Sequence, residues 1–152
     1  MLEKDKALSL LYSYSYLENT CKTIDGFVNR YATNFGICSV NFNTECLSNK
    51  IIDLMQRKKY LINLKVFLDI IVNKCSLRSR KILILMMQFK YSTEKLIEIF
   101  DVSERTAYRY VKIAINEFID LIDTNQNLFD IYKILNDEKW ILNLSHTYVA
   151  SR

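Results

Sequence analysis

Residues 92–112 read STEKLIEIFDVSERTAYRYVK. Two short apolar-periodic runs flank Asp101-Val102-Ser103, and arginine occurs only in the second. Leu96, Ile97 and Phe100 share one face of a first helix, and Val102 is placed to plug the turn. In the second run Ala107, Val111, Ala114, Phe118 and Leu121 recur at spacings of four and three, the mark of a buried helical stripe. At about 100° per residue, Arg105, Tyr108, Arg109, Lys112 and Asn116 fall on the opposite side. Burying one side therefore turns a basic, hydrogen-bonding side outward. The pattern predicts a helix–turn–helix, two short helices held at a steep angle by a small core.

The flanking segments predict more helix. With no proline and two glycines, Gly26 and Gly36, the chain of 152 residues has few turn formers and no hairpin signal. An all-α fold is expected. Leu10, Tyr14, Leu17, Cys21, Ile24, Val28, Tyr31 and Phe35 alternate spacings of four and three along one seam. The YSYSY alternation inside that run belongs to the seam and not to a strand. Residues 36–45, GICSVNFNTE, lose the period and read as a loop. A second long helix follows from about Leu47 to Lys74, with Leu47, Ile51, Leu54, Leu61, Leu68 and Cys75 as its seam. Lys58 and Lys65 occupy intervening seam positions, where their stems can snorkel. An antiparallel helical pair and a dimeric coiled coil both fit these seams.

Ser76 is placed to cap a third helix over 77–89 with its side-chain oxygen, and Lys90-Tyr91 breaks that run. Ser92 or Thr93 caps the fourth helix, which ends near Asp101. Ser103 caps the fifth, with Glu104 in the first turn, where the helix dipole favours negative charge. The fifth helix, the recognition helix, is expected over 104–121. One or two short helices follow in 128–152. The expected domains are thus 1–75, a long-helix pair for bracing or dimerisation; 76–122, the helix–turn–helix unit; and 123–152, a helical extension of unassigned role.

Charge and composition narrow the chemistry. The net charge of +4 lies wholly within Ser76–Lys112, where eight bases face four acids. A local basic patch points to a polyanionic partner, with a solvated helix face as the plain alternative. Cys21, Cys38, Cys46 and Cys75 lack the close pairing of a tetrahedral zinc site, and the one histidine, His146, is distant. No metal or cofactor is expected. There is no glycine-rich phosphate loop, and no cysteine has an evident base partner, so no enzymatic constellation emerges. No apolar run is long enough for a membrane span and the N-terminus does not read as a signal peptide, so a cytoplasmic location with no membrane partner is expected.

The basic face suits double-stranded DNA, because arginine forks onto guanine while lysine and hydroxyl groups bind phosphate. Early residues of such a helix reach base edges, which singles out Arg105, Thr106, Tyr108 and Arg109. Ser92, Thr93, Lys95, Ser103 and Lys112 are the expected phosphate or positioning contacts, with Arg78, Arg80 and Lys81 as weaker candidates. Thr106 and Ser103 can also serve the turn alone, and Tyr110 suits packing.

The segment CSLRSRKILILMMQFKYSTEKLIEIFDVSERTAYRYVKIAINEF resembles region four of bacterial sigma factors and, more closely, the sigma-region-four-like phage transcriptional regulators of the ArpU type. The matching positions are Leu77, Arg80, Ile82 and Leu83, then Ser92, Glu94, Phe100, Ser103, Arg105, Thr106, Tyr108 and Arg109. Ile97 stands where those proteins have a small residue, and Asp101 where they have the turn glycine. Aspartate tolerates a left-handed turn better than most residues, though less well than glycine. The resemblance implies a DNA-binding transcriptional regulator of bacterial or phage origin, with RNA polymerase and a second copy as further partners. A sigma-like polymerase-associated factor and a protein-interaction module of the same shape are the alternatives.

Overall fold

The computed structural model describes residues 1–37, 44–89 and 93–149, except for the side chains of residues 34–37, 44, 89 and 146–149. Lys90, Tyr91, Ser92, Cys38 and the side chains of Phe35 and His146, all invoked above, lie outside the described residues. The described residues form seven helices, α1 (Lys4–Ile37), α2 (Thr44–Lys74), α3 (Leu77–Phe89), α4 (Thr93–Phe100), α5 (Glu104–Thr124), α6 (Ile131–Asp137) and α7 (Lys139–Val149). The fold is all-α. Residues Gly36 and Ile37 still belong to α1, and α2 begins at Thr44, so helix occupies both ends of the expected loop.

The chain divides into two compact units, one of residues 1–15 with 64–152 and one of residues 16–63. In the smaller unit the seams face each other within one chain. Leu17, Ile24, Leu47 and Leu61 are buried. Lys58 Nζ bonds Asp25 Oδ1 at 2.6 Å, and Lys50 lies over the Tyr31 ring at 5.7 Å. As one index rises the other falls, so the pair is antiparallel. Lys58 therefore finds an acid partner at the seam position where a lysine looked out of place. No helix among the described residues is long and apolar enough to cross a membrane.

The larger unit holds the start of α1, the end of α2, α6 and α7 together with the helix–turn–helix. Leu10 and Leu11 of α1, Leu64 and Leu68 of α2, Ile82 and Leu83 of α3 and Phe118 of α5 are all essentially sealed from water. Burying each such side chain stabilises by about 1.5–3 kcal/mol. The YSYSY stretch lies in α1, where Ser9 and Ser13 are buried; Ser13 Oγ donates to Leu10 O at 2.7 Å, as serine does inside a helix. Ser9 Oγ reaches Leu142 O at 3.4 Å, and the Leu2 N–H donates to Asp123 Oδ1 at 3.2 Å. Phe67 stacks on Phe129 with ring centroids 5.5 Å apart.

The two compact units meet along the chain at 15/16 and 63/64, whereas the expected domain boundaries stand at 75 and 122. The start of α1, the end of α2 and the segment after 122 all belong to the unit that carries the helix–turn–helix. The reason lies in α6 and α7. Ile131, Ile134, Leu135 and Ile141 are buried, and the buried Glu138 between the two helices accepts a 2.6 Å bond from the Trp140 indole N–H.

Candidate nucleic-acid interface

Local rules position α4 and α5. Asp101, the first residue after α4, has φ of +50°, and it is the only non-glycine residue with positive φ among the described residues. A left-handed residue there turns the chain sharply out of α4. Ser103 then caps α5 in extended conformation, its Oγ accepting the Thr106 N–H at 3.3 Å. Leu96 is buried, whereas Ile97, Phe100 and Val102 are half-buried. Leu96 is thus the side chain of α4 that is sealed from water, and Ile97 beside it is only partly covered. Val102 covers the turn without being sealed inside it.

The inner face of α5 comprises Ala107, Val111, Ala114, Ile115, Phe118, Ile119 and Ile122. Leu121, expected in that stripe, is only half-buried, and Ile122 takes its place. A strict four-three repeat drifts around a 3.6-residue helix, so by the fifth member it no longer faces inward. The helix also runs on to Thr124.

The opposite face bears the expected side chains. Arg105, Arg109 and Lys112 are exposed, and Tyr108 is 49 % exposed. With Thr106 they line an open surface depression of about 370 Å³. Among the described residues no carboxylate forms an ion pair with Arg105, Arg109 or Lys112. A row of cations on one helix, without carboxylate partners among the described residues, attracts anions.

The remaining candidates separate by environment. Thr106 is half-buried, and its Oγ1 accepts a 2.9 Å bond from the Ser103 hydroxyl. It serves the turn while keeping its own proton to donate. Thr93 opens α4 and is half-buried. Lys95 is exposed on α4, 3.7 Å from Glu98. Ser92 lies outside the described residues.

Two arginines of α3 diverge. Arg80 Nη2 donates to Asn73 O at 2.6 Å and Cys75 O at 3.3 Å, which closes the C-terminus of α2. Open carbonyls at a helix end attract a guanidinium as an anion would, so Arg80 has a structural role at this joint. Arg78 instead lies over the Tyr110 ring, 4.0 Å from its centroid, and Lys81 is exposed.

The residue that sequence reading missed is Glu117. From the inner edge of α5 its carboxylate accepts the Ser76 N–H at 2.5 Å and the Ser76 hydroxyl at 3.0 Å, and it is also bonded by Ser79. Ser76 does stand at the cap position, with Arg80 N bonded to its carbonyl at 2.8 Å. Its hydroxyl donates to the Glu117 carboxylate, a strong acceptor and a partner that sequence did not suggest. Desolvation pushes the Glu117 carboxyl upward, but the Ser79 and Ser76 bonds outweigh it and hold the group below its ordinary value. Nearby, burial foremost, with help from the Glu117 charge and opposition from Arg80, pushes the Cys75 thiol up to about 11. Cys75 is thus an inert buried thiol. No protein-family model, curated protein or solved structure matches this chain.

Proposed function

We propose that the chain is a DNA-binding transcriptional regulator of bacterial or phage origin that sets α5 into the major groove of duplex DNA. One observation carries the reading: Arg105, Tyr108, Arg109 and Lys112 share the solvent side of α5, and the three cations lack carboxylate partners among the described residues. The resemblance to sigma region four and to ArpU-type regulators supports it. In this reading Arg105, Tyr108 and Arg109 meet base edges, Thr106 adds a hydroxyl near the helix start, and Lys112, Lys95, Thr93 and Ser103 meet the backbone. Its place of action is the cytoplasm, where such DNA lies. RNA polymerase is the second partner the resemblance brings.

A second copy is the partner proposed for the smaller unit. Ile52, Met55 and Ile62 on α2 are exposed there, an unusual cost for one helix in water. Sedimentation of the full chain across concentration tests this; a monomer at every concentration removes the dimer.

Exposed Ile99 on α4 and Ile113 on α5 favour one competing reading, a protein-docking module of the same shape. Salt separates the two. Contacts to four to six phosphates give a log–log salt slope of about −4 to −5, whereas an apolar contact barely responds. The decisive experiment selects genomic duplexes with the purified chain and repeats the binding with Arg109→Ala. Loss of about 1–3 kcal/mol, with relaxed preference at one base position, is expected. Equal weakening on all duplexes would make Arg109 a phosphate contact, and no salt-dependent duplex binding by the native chain would end the DNA reading.

A further inference from the structure

The ring of Tyr110 carries two guanidinium groups from different helices. Arg78 of α3 lies 4.0 Å from its centroid and Arg109 of α5 lies 5.7 Å away. Arg78 and Arg109 are exposed, Tyr110 is half-buried, and no carboxylate among the described residues pairs with either arginine. The π-face of tyrosine attracts a cation but neutralises no charge, and neither arginine has a carboxylate partner among the described residues. An anion brought to either guanidinium supplies that counter-charge and leaves the contact with the ring in place. Arg80, two residues further along α3, shows the contrast: its Nη2 is bonded to the carbonyls of Asn73 and Cys75 at the end of α2. Thus α3 commits one arginine to structure and directs the other toward the flank of α5.

We propose that Tyr110 is a positioning residue that holds Arg78 and Arg109 together, so that Arg78 binds a backbone phosphate while Arg109 reaches the bases, and the first turn of α3 becomes part of the DNA interface. This rests on the DNA-binding reading above. Arg78 contributes charge beside the recognition helix but carries no sequence information. Tyr110 contributes no charge at all. Its ring limits the rotamers of two long side chains, which would otherwise lose that freedom on binding.

The test is a salt titration of duplex binding by the full chain, using a duplex recovered from the genomic selection and one of scrambled sequence. Arg78→Gln should flatten the log–log salt slope by about 0.9, the loss of one phosphate contact, and weaken both duplexes by the same factor. Tyr110→Leu should also flatten the slope, although it removes no charge, and should lower the preference for the selected duplex. Tyr110→Phe keeps the ring and should behave as the native chain. A ring with a purely structural role would leave the slope of Tyr110→Leu unchanged at matched folding, read by circular dichroism. If Tyr110→Leu fails to fold, Arg78→Gln at its exposed position still decides the phosphate contact. A native slope in Arg78→Gln overturns the proposal while leaving the DNA reading intact. So does a Tyr110→Phe variant as weak as Tyr110→Leu. Absence of salt-dependent binding by the native chain overturns both.

Discussion

Removing the Glu117 carboxylate should loosen the joint between α3 and α5 by a predictable amount. Three bonds end on that group, from the Ser76 N–H, the Ser76 hydroxyl and Ser79. The Ser76 bonds are exposed, so water replaces them in a Glu117→Ala variant, and each costs about 0.5–1 kcal/mol. Ser79 is only 3 % exposed. Its hydroxyl would be left buried without its acceptor, at about 1–2 kcal/mol. Because the contributions overlap, the expected total is about 2–3 kcal/mol, or a fall in Tm of roughly 5–10 °C for a chain of this size. Urea unfolding followed by circular dichroism measures it. Adding Ser79→Ala to Glu117→Ala should return about 1 kcal/mol, since removing both partners of a buried bond costs less than removing one. The pH dependence provides an independent sign. A carboxyl held below its ordinary value binds fewer protons when folded, so its contribution is present above the unfolded value and lost as pH falls through the folded one. The stability gap between the native chain and Glu117→Gln should therefore close in acid. A Glu117→Ala variant within 0.5 kcal/mol of the native chain, or strict additivity with Ser79→Ala, would refute the reasoning.

Other substitutions probe separate parts of the argument. Asp101→Gly should stabilise by up to about 1 kcal/mol and Asp101→Val should destabilise by about 1–2 kcal/mol, because only the former relieves a residue at φ of +50°; equal melting temperatures would contradict the left-handed turn. Gly26→Ala should add about 0.5–1 kcal/mol, since a methyl there meets nothing within 4 Å inside α1; a loss on denaturation would show an unrecognised contact. Burial, aided by a hydrogen bond to Asp69 and its charge, pushes the Tyr14 phenol from 10.0 up to about 12. Its raised folded value means stability held below pH 10.0 and lost as pH climbs toward 12, so Tyr14→Phe should denature less steeply with alkali in that window.

The basic outer face of α5 was legible because it depends on neighbours along one helix. Ala107, Val111, Ala114 and Phe118 fix the inner side by their spacing, and 100° rotation then assigns Arg105, Tyr108, Arg109 and Lys112 to the outer side without knowledge of any other element. Asp101 and Ser103 were legible for the same reason, since a left-handed turn and an N-cap are requirements on one or two residues. The same local logic placed helices close to their observed ends, from Leu77 to Phe89 most closely.

The sequence by itself therefore determined the all-helical class, the turn and the charge on the outer side of α5, all of which follow from periods of a few residues. Only the tertiary structure decided which polar groups were already spoken for. Arg78 and Arg80 look alike in sequence, yet one rests on a ring of α5 and the other closes the end of α2. Glu117 reaches Ser76 across 41 residues, and Ser9 reaches Leu142 across 133. Helical periodicity states which side of a helix is buried but not which partner buries it, and a hydrogen bond depends on that partner's position to a fraction of an ångström.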